Sequence, residues 1–251
     1  MYRRAVIVFF VLCIAFVLAA AEDFWVKKDY SKWSKAEAEK MLTDSPWAHK
    51  VTLSSITMTG VGRATGPVGG TAGVHMPSAG PDAGMDTSRQ STPQISYTTQ
   101  IRSATPVRRA VVRQLQLQAK YDNMNNDQKA AVDTRTNEYL NAPQDAIIFY
   151  VRFESNTPNY LAEIRRYWVQ QTVETLKPIV FLSVAGQRMS PVAYIAGDDA
   201  FQFTFERPKE LPKDGSAVLE FVHPTIGVLA TERVVFDFKL SKMQVENAPA
   251  M

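Results

Sequence analysis

Four arginines, Arg102, Arg108, Arg109 and Arg113, crowd a short stretch of the chain. Arg109 and Arg113 are four apart and share a face of any helix formed there. Guanidinium groups gathered this way could grip a phosphate or carboxylate. A solvated helix face is the plainer reading of the same charge run. A second group is aromatic: Trp25, Trp33 and Trp47. Exposed indoles stack on sugars or fill a partner's pocket, whereas buried ones would pin the segment that carries them to a core.

Other residue types offer less. His49, His75 and His223 are far apart, with no metal-ligand spacing among them; they read as surface or strand-end histidines. Gly60, Gly62 and Gly66 follow a strand-like stretch, but Pro67, Gly69 and Gly70 come next, so no helix N-terminus can start there to hold a pyrophosphate. Asp198 and Asp199 are adjacent without a calcium-type ligand loop around them and read as a solvated turn. Glu163 and Glu174 fall on helical stretches, where they would pair with neighbouring cations. There is no P-loop and no G-x-S-x-G elbow. The expectation is no catalytic constellation, no metal and no cofactor.

These residues need elements to position them. Ser34 and Glu37 form a capping box for a first helix whose apolar face is Ala38, Met41 and Leu42. Ser45 and Pro46 then open a further turn as N-cap and N1. Alternation around Val51 and Leu53 predicts a strand, and Ile95, Tyr97, Thr99 and Ile101 share one face of another. Thr105 and Pro106 start a helix with Val107, Val111, Leu115 and Ala119 as its core stripe. A further helix covers Asp127 to Leu140. Ile147, Phe149, Val151 and Phe153 mark a strand, with Tyr150, Arg152 and Glu154 on its other face. Leu161, Ile164, Trp168 and Thr172 line a helix that opens at Thr157 and Pro158 and ends near Leu176. From Pro178 onward the period is two, with Ile179 to Val184 and Val192 to Ile195 flanking a turn at Gly186. The fold class expected is α+β, a mainly antiparallel sheet with about four helices; a β-sandwich with helical insertions is the alternative.

Eight of the chain's twelve glycines lie between Gly60 and Gly84. Residues 60–93 are therefore expected to form a long disordered loop joining two paired strands. Residues 22–59 are too few for a core of their own, which favours one domain over 22–251; a docking tail on a tether is the alternative.

Arg3 and Arg4 precede an unbroken apolar run from Ala5 to Ala21, with Glu22 and Asp23 behind it. This is a signal-peptide pattern, with cleavage expected between Ala21 and Glu22; an uncleaved anchor is the alternative, and only then would the protein touch a membrane. The sole cysteine, Cys13, leaves with that segment. Without Arg3 and Arg4 the 28 basic residues fall to 26, against 25 acidic ones. That balance gives no reason to expect nucleic acid.

Trp33, Leu42, Ser45, Pro46 and Trp47 spell a W…L-x-x-SPW segment. Followed by a strand, a Gly-rich loop and a second strand, it resembles a family of uncharacterised exported bacterial proteins. The stretch from Ile101 to Arg109 resembles that family too. Some of its members are grouped with GWxTD-domain proteins, whose motif this chain lacks. The resemblance implies export and the long-loop hairpin, and no particular activity. The function expected is an exported, periplasmic or secreted, non-enzymatic module that binds or scaffolds an envelope protein or glycan; an envelope hydrolase with scattered catalytic residues is the alternative.

Overall fold

The computed structural model describes residues 24–54, 92–245 and 248–251. The expected signal segment with its Ala21–Glu22 cleavage point, His75, and all but the last two residues of the Gly-rich loop lie outside the described residues.

Among the described residues the fold is α+β, with two main antiparallel sheets, a two-stranded antiparallel pair (Gln244–Val245 with Ala248–Pro249) and six α-helices. The helices are α1 (Phe24–Lys27), α2 (Lys35–Thr43), α3 (Thr105–Gln118), α4 (Asn126–Asn141), α5 (Pro158–Val169) and α6 (Val173–Leu176). The larger sheet has the order β1 (Ala48–Ser54), β2 (Gln94–Ile101), β3 (Ala146–Ser155), β7 (Ala200–Glu206), β6 (Ala193–Ala196). The smaller one runs β5 (Gln187–Met189), β4 (Val180–Val184), β8 (Ser216–His223), β9 (Glu232–Lys239).

The two sheets face each other across an aromatic core. Strand alternation puts Tyr97, Phe149, Phe153, Phe201, Phe203 and Phe205 on the inner face of the larger sheet. Leu182, Leu219, Phe221, Phe236 and Phe238 answer from the smaller. Rings meet edge to face across the gap: Tyr97 and Phe221 centroids are 5.1 Å apart and those of Phe201 and Phe221 are 5.8 Å apart. Trp168 of α5 reaches both sheets, 4.1 Å from Phe201 and 5.5 Å from Phe221. The packing is thus that of a sandwich, with helices inserted between its strands.

Many sequence expectations hold. The Ser34–Glu37 capping box forms in both directions. β1 pairs with β2 from Ala48↔Gln100 to Ser54↔Gln94, so the segment before the Gly-rich stretch is built into the sheet. Other expectations need correction. Ser45 and Pro46 begin a tight turn closed by Ala48, where the Ser45 hydroxyl accepts from the Trp47 amide and donates to the Met41 carbonyl. On α3, Leu115 is exposed and Val111 half-buried; the buried positions include Pro106, Val107, Ala110 and Gln116. The stripe is rotated because α3 contacts α2 and α4 rather than one apolar wall. α5 stops at Val169, and Thr172 caps the separate α6 instead of continuing the stripe. β4 turns at Ala185 and Gly186, both at positive φ, into the short β5; β6 belongs to the other sheet. Two consecutive left-handed residues match the strand twist of a two-residue hairpin. His223 ends β8 as expected of a strand-end histidine, but it is fully buried rather than at the surface, because it continues the inward alternation of that strand.

Candidate anion-binding site

β2 ends at a bend stitched to β3. The Arg102 amide donates to the Ile148 carbonyl (2.7 Å), and the Ile148 amide donates to the Ser103 hydroxyl (3.1 Å). The stitching holds Arg102 over the outer face of the larger sheet, just before α3 begins at Thr105. Arg108 follows in the first turns of that helix. The last turn of α4 brings Tyr139 across, and the link from Ala142 to Gln144 returns the chain to β3, which supplies Ile148 and Tyr150. Tyr150 stands directly opposite Gln202 of β7. Together these residues line a cavity of about 370 Å3.

Both guanidiniums in this cavity lean on tyrosines. Arg102 lies 4.3 Å above the centre of the Tyr150 ring, and Arg108 lies 4.8 Å above that of Tyr139. Tyr139 also favours the charged form of Arg102, so it acts on both cations. Arg108 is 4% exposed and donates Nη1 to the Ala142 carbonyl at 3.1 Å. The buried Nε of Arg102 has no hydrogen-bond partner among the described residues. Burial pushes the Arg102 pKa below the usual guanidinium value, and the two tyrosines oppose it. No carboxylate lines the cavity, and neither arginine makes an ion pair among the described residues. Two desolvated cations beside one another cost free energy until an anion neutralises them. Ring faces offset part of that cost, and the in-plane N–H edges suit a carboxylate or phosphate.

The four arginines do not act as one cluster. Arg113 is committed to structure. Its Nε donates to the Trp33 carbonyl (2.8 Å), and its two terminal nitrogens form a fork on Asp122 at 3.2 and 3.1 Å. Arg109 faces a different cavity of about 410 Å3, with Trp25, Trp33, Pro106 and Gln244. Adjacent positions on a helix point about a quarter-turn or more apart, which separates Arg108 from Arg109.

The tryptophans divide too. Trp33 and Trp47 are 1% and 0% exposed. Trp33 donates its indole N–H to the Lys28 carbonyl, and Trp47 donates to the Ala250 carbonyl at 2.6 Å. Trp25 is half-buried, edge-on to Trp47 at 5.8 Å. It separates the Arg109 cavity from one of about 700 Å3 that holds His49, Lys40 and Lys242. Desolvation lowers the pKa of His49, whose ring lies 4.7 Å from Phe238.

Asp199 sits beside Arg152 at 3.3 Å, and the Asp198 carbonyl accepts from Arg165, as befits a turn. Among the described residues no group of three or more His, Cys, Asp or Glu side chains is placed to hold a metal, and no helix is long and apolar enough to cross a membrane.

Sequence reasoning named Arg102 and Arg108 but missed Tyr139, Tyr150, Gln144 and Gln202. The only signal available was Tyr150's outward place in the alternation of β3. Compared with known protein families, characterised proteins and solved structures, the chain matches none.

Proposed function

We propose that the chain is an exported, non-enzymatic binding module of the cell envelope that takes an acidic group of its ligand into the Arg102–Arg108 cavity. The observation that carries this is the burial of Arg108 in a cavity wall shared with Arg102, with tyrosines and glutamines but, among the described residues, no carboxylate around them. Among the described residues the same wall has no histidine or acid to move a proton, which supports binding over hydrolysis at this place. The basic start and apolar run from Ala5 to Ala21 support export, as does the resemblance carried by the W…L-x-x-SPW segment.

Thermal unfolding in rising sodium acetate, against sodium chloride at equal ionic strength, tests the binding claim. The parent should show a saturable rise in Tm specific to acetate, and the double variant Arg102→Gln, Arg108→Met should not. Equal responses of parent and variant would overturn it. N-terminal sequencing of the protein from the envelope should begin at Glu22; a chain beginning at Met1 would overturn cleavage.

A further inference from the structure

The donors and acceptors around the cavity are unequal, and the imbalance says more about the ligand than its charge. The Gln144 amide nitrogen is spent twice, donating to the Ala142 carbonyl (2.7 Å) and the Pro143 carbonyl (2.9 Å). This fixes the amide's orientation and leaves its oxygen as an acceptor without a partner among the described residues. Gln202 and Tyr150 stand side by side on the outer sheet face, and Gln202 makes no side-chain hydrogen bond among the described residues. The Tyr139 hydroxyl completes a wall with two cationic forks and four neutral oxygens able to accept.

A bare carboxylate satisfies the forks but offers the acceptors nothing, and a free phosphate brings one or two hydroxyl donors for four acceptors. A neutral sugar satisfies the acceptors but leaves the buried Arg108 and the half-buried Arg102 uncompensated. The volume, near the small end of ligand pockets, suits a single ring. From these features we propose that the ligand is a sugar acid: one ring carrying a carboxylate toward Arg102 and Arg108 and hydroxyl donors toward Gln144, Gln202 and the tyrosines. An acidic side chain on a peptide brings the carboxylate with a single nearby N–H, too few donors for this wall. The proposal rests on the anion-binding reading above and narrows it to glycans that contain acidic residues.

Calorimetric titration with D-glucuronate, D-glucose, acetate and N-acetyl-glutamate tests it. Glucuronate should bind at least tenfold tighter than acetate or N-acetyl-glutamate, and glucose should bind more weakly than glucuronate by a similar factor. Gln144→Ala should remove most of the advantage of glucuronate over acetate; Arg102→Gln should weaken both. Equal affinity for acetate and glucuronate would overturn the sugar-acid proposal and leave the anion site standing. N-acetyl-glutamate matching glucuronate would overturn it in favour of an acidic peptide. Titrations that Arg102→Gln leaves unchanged would overturn the anion site itself. Circular dichroism of each variant separates loss of binding from loss of fold.

Discussion

The hydroxyl of Tyr97 lies 2.8 Å from Nδ1 of His223, joining β2 of one sheet to β8 of the other inside the aromatic core. Both residues are fully buried, and Nε2 of His223 has no partner among the described residues.

This pair makes stability depend on pH. Desolvation lowers the His223 pKa from 6.5 to about 4, so the folded protein takes up a proton there only near pH 4. The unfolded chain does so near 6.5. The unfolded state therefore binds more protons between those values, and stability falls as pH is lowered through that window. At about 1.4 kcal/mol per pKa unit, the histidine's share of the loss is about 2 kcal/mol by pH 5. Urea unfolding at pH 7.5 and pH 5 should show it as the difference in slope between the parent and His223→Gln, which keeps a hydrogen-bonding partner for Tyr97. Parallel pH dependence in the two proteins would refute the assignment.

Trp33 and Trp47 hold the N-terminal segment to the rest of the fold. Each is buried and donates its indole N–H to a backbone carbonyl. Truncation to alanine should cost roughly 3–5 kcal/mol in each case. Trp25, half-buried, should cost visibly less. Thermal melts of the three variants check the order, and an unchanged Tm for Trp33→Ala and Trp47→Ala would favour a ligand-stacking role instead.

Arg108 and Arg113 are both buried arginines of α3, at 4% and 6% exposure, yet they should respond oppositely to replacement. Arg113→Met strands the Trp33 carbonyl and removes the fork on Asp122, which should cost about 1–3 kcal/mol. Arg108→Met removes an uncompensated cation and one bond to Ala142, so ligand-free stability should change by about 1 kcal/mol or less. Urea titration of the two variants decides. A larger loss from Arg108→Met would mean that this arginine is structural.

Gly227 has φ +55, and a Cβ there would lie 2.1 Å from the Tyr160 hydroxyl, which accepts from the Val228 amide at 3.0 Å. Gly227→Ala should therefore clash as well as strain the backbone. In a Tyr160→Ala background only the left-handed strain of about 1–2 kcal/mol should remain. A double-mutant cycle by urea unfolding should show strong coupling; additive effects would disprove the contact.

How much of this could be read from the chain follows from the range of the interactions. Local patterns were legible: the Ser34–Glu37 capping box, the inward alternation of Ile95, Tyr97, Thr99 and Ile101, and the antiparallel strands that make the fold α+β all depend on residues near one another in sequence. The core stripe of α3 is not legible in its sequence, because Leu115 is as apolar as a core residue yet exposed. Which side of a helix is covered depends on α2 and α4, not on α3 itself. His223 could not be recognised as buried, since strand alternation fixes its face but not the sheet that closes over it. The candidate site divides the same way. Arg102 and Arg108 stood out by type and spacing, but their separation from Arg109 and Arg113 came from helix rotation and from distant partners. Tyr139, Tyr150 and Gln202 arrive from α4, β3 and β7. Sequence alone thus determined the elements and the charges they carry. Only the tertiary packing decided which cations are neutralised by their neighbours and which stay buried without a counter-charge, because desolvation and Coulomb energy act over a few ångströms in space, whatever the distance along the chain.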